Sequence, residues 1–486
     1  MSNDLARRSV SSVGWNMAGG LAGLVVLFVR SVMLARLLPV ETFGVYAGAG
    51  ALVALTAVFA SFGMTGAFLH RTAETEDEQQ AAAVHFSVKL IFTLVWGAFM
   101  VLFALLYTGG DQRIALLALT LTQVGDELTQ TSRLVLMRRV IHRRLAVLGL
   151  LDSLLTTLVA VGLALLGATL WALLATDVVS MVLGIVGLLI WRPAWRLRLS
   201  WQPATVRYYL RFGSRNLTAQ LLLVAQDRLD DLYTQRALGN EALGFYSRAY
   251  MFATYPRKIL ANPVNQVAGG TYAELKSDRA RLSQAFFATN ALLVRSGFAL
   301  AGLLVLIAPE FIVILLGDKW LPMLQAFRLM LVFTMLDPLR VTVADLFVAV
   351  GQPERVVRVR ALQLAVMIAG LLILGPRLGI AGVALAVDAM LVVGIAVLLR
   401  QARAFVDFSA RRMFAAPMLA LVLALLAGYA LAQPLGPDAS PWVSGGLKMA
   451  GFCLTYGALL LLLERRFLAA VVLPAIKRLR ARGRGS

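Results

Sequence analysis

Residues 36–49 read RLLPVETFGVYAGA, and residues 236–249 read RALGNEALGFYSRA. The two stretches align without a gap at an offset of 200 residues. Arg36/Arg236, Leu38/Leu238, Glu41/Glu241, Gly44/Gly244, Tyr46/Tyr246 and Ala49/Ala249 are identical, and Asn16/Asn216 and Leu21/Leu221 match in the same register. Apolar identities are cheap in a hydrophobic chain. Arg, Glu, Gly and Tyr held in one register are not, so the stretch marks an internal duplication.

What is duplicated follows from the residues between the copies. Hydrophobic side chains make up 59% of the 486 residues and charged ones only 15%, against about a quarter charged in soluble domains. The mean hydropathy of +0.78 is spread over the whole chain. A helix needs about 20 apolar residues to cross a bilayer, and lipid satisfies no hydrogen bonds of an open strand. Transmembrane β-barrel strands would alternate over about 10 residues; the runs here are long and continuous. The pattern predicts fourteen helices, near 13–37, 43–66, 85–107, 113–136, 146–167, 169–191, 213–237, 242–265, 286–308, 322–349, 357–375, 379–399, 414–432 and 444–463. The repeat period holds six of them, an even number, so both copies have the same orientation and form parallel repeats about an axis along the membrane normal. The expected fold is an all-α polytopic membrane protein. It has a six-helix bundle in 1–200, a second in 201–400, and two extra helices with a basic tail in 401–486. The bundles are expected to surround a central cavity and to rock against each other. A duplicated scaffold without a moving part is the plainer alternative.

The net charge of +20 is a topology signal rather than a nucleic-acid footprint. Arg138, Arg139, Arg143 and Arg144 follow the fourth predicted helix, and Arg192, Arg196, Arg198, Arg207 and Arg211 follow the sixth. Arg355, Arg358 and Arg360 follow the tenth, Arg400, Arg403, Arg411 and Arg412 the twelfth, and Lys477 to Arg484 lie in the tail. The intervening connections are nearly free of cations, with Arg113, Lys319 and Arg377 the exceptions. The positive-inside rule then puts both termini in the cytoplasm, and the basic loops meet anionic membrane lipids. The first helix shows no cleavage motif and is expected to be retained as its own insertion signal. The single cysteine, Cys453, allows no internal disulfide, and His70, His85 and His142 have no metal-ligand spacing. No metal, cofactor or catalytic group is expected.

Charges at membrane depth cost about 2.5–3.5 kcal/mol on insertion scales and usually face a cavity. The first predicted helix carries Arg30; the seventh carries Asp227, Arg228, Asp230 and Asp231. Asn216, Gln220, Asp227, Asp231 and Thr234 fall at helical spacing and form a polar stripe. Under the repeat Arg30 corresponds to Asp230, and the two helices are expected to face each other, with Arg30 pairing Asp230 or Asp231 in one conformation. Arg30, Arg133, Arg248, Arg257 and Lys258, with Asn216, are candidates for a cationic site for an anionic head group, since guanidinium binds two phosphate oxygens at once. Arg248 also reads as a snorkelling side chain, Arg257 and Lys258 as the cytoplasmic rim, and Arg133 as the start of a basic loop. Asp227 leads the candidates for holding a coupling H+ or Na+, with Asp230 and Asp231 beside it. An ion pair with Arg228 is the structural alternative.

The segments RSVMLARLLPVETFGVYAGA, FGMTGAFLHR and LGNEALGFYSRAY resemble the bacterial polysaccharide biosynthesis flippases, oligosaccharide-lipid exporters of the multidrug/oligosaccharidyl-lipid/polysaccharide superfamily. The motif R-x-L-x-x-E-x-x-G-x-Y in both halves carries the resemblance, which covers about residues 10–460. It implies a transporter rather than an enzyme. The implied activity is translocation of undecaprenyl-pyrophosphate-linked repeat units to the periplasmic leaflet for exopolysaccharide, capsule or O-antigen. The implied neighbours are a polysaccharide polymerase and glycosyltransferases in the inner membrane. In the related lipid II flippases cavity arginines bind the pyrophosphate, and Arg30 and Arg248 match that by location. A drug/cation antiporter of the same superfamily predicts an acidic cavity. A membrane-embedded polymerase or ligase predicts a long outer loop, and the longest here is only 433–443. A structural partner in a biosynthetic complex also remains open.

Overall fold

In the absence of water, backbone groups are satisfied most economically along their own helix, and the chain follows that rule throughout. A computed structural model describes residues 23–70, 78–139, 142–191, 193–436 and 439–465, and all the regular structure in them is helical. The predicted start of the first helix, 13–22, and the acidic and tail segments 71–77 and 466–486 lie outside those residues. The elements are α1 (23–37), α2 (Val40–Ser61), α3 (Thr65–His70), α4 (Glu78–Tyr107), α5 (Gly110–Arg138), α6 (His142–Leu165) and α7 (Thr169–Ile185), which ends in a π-turn (Val186–Ile190). There follow α8 (Pro203–Leu238), α9 (Asn240–Leu275), α10 (Arg279–Leu306), α11 (Ala308–Leu315), α12 (Leu324–Ala349), α13 (Pro353–Ala402), α14 (Ala410–Ala432) and α15 (Pro441–Leu463).

The predicted helices fall on these elements, but among the described residues the apolar criterion for a membrane span is met by eight: Val40–Ser61, Glu78–Tyr107, Arg143–Leu165, Thr169–Ile190, Arg279–Leu306, Pro353–Ala402, Ala410–Ala432 and Pro441–Leu463. Helices α5, α8, α9 and α12 are long enough, at 29, 36, 36 and 26 residues. They carry polar side chains along their length, as cavity-facing helices do. The predicted break between 375 and 379 falls within α13. There Pro376 removes a donor and Gly379 takes φ 57, ψ −138, open only to glycine. The short helices α3 and α11 were not anticipated.

The chain divides into two compact units, Met1–Ser247 and Arg248–Ser486. That division differs from the repeat boundary at 200/201, because α8 packs along α2 rather than among later helices. The two run antiparallel, with Gly213 of α8 against the end of α2 and Gly44 of α2 against Asn240, the first residue of α9. A Cβ on Gly44 would lie 1.7 Å from the Asn240 carbonyl oxygen, and one on Gly213 2.2 Å from that of Phe62. A Cβ on Gly244 would lie 2.2 Å from the Val40 carbonyl oxygen. Position 44 meets 240 and position 244 meets 40, so the two copies of the repeated motif grip each other reciprocally, as a two-fold contact does. The first unit is filled by Val45, Ala49, Val53, Trp96, Met100, Leu116 and Leu174 in one cluster and by Phe68, Val84, Val135, Trp195 and Tyr209 in another.

In the second unit α10 packs on α12 and α14, and α14 on α15. Gly428 and Gly451 let the last pair touch, a Cβ on Gly451 reaching 3.1 Å from the Gly428 Cα. Two ion pairs then fasten α15 antiparallel to α10 and α11. Arg295 Nε donates to Glu464 at 2.5 Å, and Lys448 lies 2.5 Å from Glu310, which also accepts from Ser444 at 2.8 Å.

Candidate functional site

In the first unit Arg30, Asp152 and Asp177 join into a polar network. Arg30 on α1 is half-buried, and its Nη1 donates to Thr156 Oγ1 of α6 at 2.8 Å. One turn earlier, Asp152 accepts from Ser180 of α7 at 2.6 Å. Tyr46, from the repeated motif, donates to Asp177 of α7 at 2.8 Å, and that carboxylate lies within electrostatic reach of Arg30. Four helices therefore meet on hydroxyls and carboxylates around one guanidinium. The Thr156 bond occupies a single donor of Arg30, which leaves most of its planar fork for oxygen ligands.

Arg133 on α5 is half-exposed, and its guanidinium stands 3.6 Å from Asp126. Asn216 is half-buried on α8, beside Gly63. Further along α8, Asp227 and Arg228 are exposed, whereas Asp230 and Asp231 are buried. Tyr246 donates to Asp230 at 2.5 Å, and Arg228 lies 3.5 Å from Asp231. The expected pairing of Arg30 with Asp230 or Asp231 is not the arrangement of this conformation: each has a different partner. The predicted stripe exists as a helix side, but its members differ in environment, and Asp227 is its exposed member.

The second unit holds Arg248 and Lys258. Both are half-buried, and the Lys258 ammonium sits 5.3 Å from the centre of the Tyr255 ring. The side chain of Arg257 lies outside the described residues. Among the described residues no group of three or more His, Cys, Asp or Glu is placed to hold a metal.

Sequence reasoning missed several buried ion pairs and hydrogen bonds. Lys89 lies 2.5 Å from Glu127 with both side chains buried, and Gln123 donates to Glu127 at 3.0 Å. His85, one turn before Lys89, shares a hydrogen bond with Thr131 at 3.0 Å. Asp337 pairs with Arg340, and Arg295 with Glu464. The signal was present: a lone Lys89 or Arg295 in an apolar run must find a carboxylate. Its partner's position, however, depends on which helices pack together. Outside the membrane spans, burial pushes the Glu310 carboxyl up. Hydrogen bonds from Lys448, its own backbone and Ser444, with the Lys448 charge, more than offset that and hold it below the ordinary glutamate range.

Residues 33–325 match the family described as polysaccharide biosynthesis protein. The succinoglycan biosynthesis transport protein ExoT of Rhizobium meliloti (strain 1021) is 28% identical over 321 residues, or 65% of this chain and 64% of the relative. The match thus spans just under two thirds of that protein's length. The lipopolysaccharide biosynthesis protein WzxC of Escherichia coli (strain K12) is 22% identical over 395 residues, 78% of each chain. Among solved structures, the lipid II flippase MurJ in an inward closed conformation superposes with a TM-score of 0.75 at 13% identity, covering 94% of this chain and 100% of that one. An inward-facing multidrug MATE transporter follows at 0.60 and 16%, covering 79% and 94%. At those identities the superpositions speak for the fold, and the family match speaks for kinship: the chain belongs to the polysaccharide biosynthesis protein family, as a multi-span helical membrane protein of the transporter fold.

Proposed function

We propose that the protein is a flippase carrying polyprenyl-pyrophosphate-linked oligosaccharide repeat units from the cytoplasmic to the periplasmic leaflet, by alternating access. The observation that carries the reading is Arg30, a membrane-depth guanidinium with spare donors, set among hydroxyls in a family of polysaccharide biosynthesis proteins. A pyrophosphate is doubly anionic, and in a low dielectric it needs charge-assisted partners. Arg133 and Asn216 of the first unit and Arg248, Arg257 and Lys258 of the second are the further candidates for head-group and sugar contacts. The lipid tail stays in the bilayer. Asp230 and Asp231, buried on α8, and Asp227 beside them are proposed to couple the cycle to H+ or Na+.

The proposed setting is the bacterial inner membrane, with fourteen crossings and both termini in the cytoplasm. Its halves are the repeats 1–200 and 201–400, with the 401–486 appendix, next to a polymerase and glycosyltransferases. In a strain with no second exporter, loss of the protein should leave lipid-linked repeat units on the cytoplasmic side and stop polymer output. Arg30→Ala should fail to restore export, since it removes charge-assisted bonds of about 1.5–3 kcal/mol, a ten- to hundredfold effect on affinity at roughly 1.4 kcal/mol per decade. Arg30→Lys, keeping charge but not the fork, should restore it partly. Normal polymer output without the protein defeats the reading. Altered drug sensitivity with no accumulated intermediate would point to the antiporter instead.

A further inference from the structure

A cavity of about 770 Å³ opens in the first unit, and Arg30 does not line it. It is lined by Phe62, Phe92, Trp201, Pro203, Val206, Arg207, Leu210, Arg211 and Ser214. Its walls follow from local sequence. The segment after α7 is pinned where the Ser200 amide donates to Ser87 Oγ at 2.9 Å and the Trp195 indole to Ser132 at 3.1 Å. That holds Trp201 at the start of α8, which opens with Pro203 as a first-turn proline. Thr205, Val206, Tyr209 and Gly213 bury one side of α8, with the Tyr209 hydroxyl donating to the Ala81 carbonyl at 3.1 Å. Helical geometry then turns Arg207, Arg211 and Ser214 into one exposed stripe along the cavity.

The opposite wall is strained. Phe62 takes φ 44 and ψ 31, and it is the one non-glycine with positive φ among the described residues. Left-handed backbone at an aromatic residue persists only where packing imposes it, and such strain gathers at working sites. Here it stacks the Phe62 ring on Phe92 at 4.7 Å between centroids. The cavity thus joins two guanidiniums one helical turn apart to an aromatic wall. Among the described residues neither Arg207 nor Arg211 has an ion-pair partner. Trp201 and Tyr208 are 59% and 37% exposed beside it, as aromatic side chains are at the headgroup level of a bilayer.

We infer that this cavity binds the phosphodiester headgroup of an anionic membrane lipid, with Arg207 and Arg211 on the phosphate and Phe62, Phe92 and Trp201 against the glycerol and first methylenes. The basic-loop pattern puts the site in the cytoplasmic leaflet. It is centred on Arg207 and Arg211 rather than on Arg30, and it stands whether or not the pyrophosphate reading above holds.

The test is lipid binding to the purified full-length protein, read by native mass spectrometry, with phosphatidylglycerol, phosphatidylcholine, inorganic pyrophosphate and undecaprenyl pyrophosphate as probes. Phosphatidylglycerol should bind about thirtyfold tighter than phosphatidylcholine, given ~1 kcal/mol for each of the two arginines near a lipid surface at roughly 1.4 kcal/mol per decade. Arg207→Gln with Arg211→Gln should erase that preference. Arg196→Gln with Arg198→Gln, an equal change of charge at exposed positions off the cavity, should leave it. Both pairs are exposed, and size-exclusion profiles check folding. The inference is overturned if the first pair keeps the preference or if both pairs lose it alike, which would make it net charge. It is also overturned if either pyrophosphate probe displaces phosphatidylglycerol from the site, which would make the cavity a pyrophosphate site.

Discussion

The repeated tyrosines show how duplication and specialisation meet at single residues. Tyr46 donates to Asp177 and Tyr246 to Asp230, so each copy ties its tyrosine to a membrane-depth carboxylate. The acceptors are not equivalent, however. The position matching Asp230 in the first copy is Arg30, which cannot accept, and Asp177 on α7 serves instead. At that offset one position is cationic and the other acidic, and the tyrosine is bonded in both copies. A hydrogen bond to a charged group contributes about 1.5–3 kcal/mol, and Asp230 is almost fully buried. Tyr246→Phe should therefore lower the stability of the detergent-purified protein by roughly that amount, read as a drop in thermal midpoint. Adding Asp230→Asn should cost less than in the wild-type background, because the bond it would disrupt is already gone. Strict additivity of the two changes would show that the bond contributes nothing.

Among the elements, the tightest approach is that of α2 to the first residue of α9. Gly44 faces a backbone carbonyl at 1.7 Å from its would-be Cβ, so even alanine must push the helices apart. Overpacking of this kind costs about 1–3 kcal/mol. Gly149, within α6, has nothing within 4 Å of its would-be Cβ. Gly44→Ala should destabilise, while Gly149→Ala should be neutral or gain up to about 1 kcal/mol from helix propensity; equal effects would disprove close packing at Gly44. The appendix offers a pH test. A carboxylate held below its ordinary range stabilises the fold above its unfolded pKa, and that stability is lost as pH falls through the folded value. Melting midpoints should thus fall on acidification below the usual glutamate range. Glu310→Gln should flatten that part of the profile and lower the midpoint at neutral pH. Element existence was legible because long apolar runs leave helices as the only solution. Boundaries were less so: the first three turns of α8, PATVRYYLRFG, are too polar to read as a span, yet Val206 and Tyr209 bury one side. Helices α3 and α11, at 6 and 8 residues, are shorter than any membrane period can reveal. Of the candidate site, the charged positions were visible but their partners were not. Arg30 with Thr156 joins residues 126 apart, a pairing set by helix packing rather than by spacing.

For the whole molecule, the charge pattern predicts which side of the membrane each connection faces. The connections after the fourth, sixth, tenth and twelfth predicted helices are arginine-rich, and with helices that cross fully, those connections share one side. The chain lends itself to the measurement, since Cys453 is its single cysteine and is exposed. Cys453→Ala gives a background in which new cysteines report by membrane-impermeant labelling of intact cells. Cysteines placed at Gly109, Gly317 and Gly436, in the cation-poor connections after α4, α11 and α14, should label from outside. Those at Arg196, Gln352 and Ala404, in the basic connections, should label only once the inner membrane is opened. The alternation also counts crossings. α8 is the decisive helix, since its two ends lie on opposite sides only if this polar, 36-residue element crosses. A cysteine at Arg196 and one at Gly239 bracket it. If both label from the same side, α8 does not span, the number of crossings between the two copies becomes odd, and the repeats are inverted rather than parallel. Opposite labelling leaves six crossings per period and keeps the two copies of the motif on one face of the membrane. Their reciprocal glycine contact requires that placement, because 40–44 and 240–244 cannot touch from opposite leaflets.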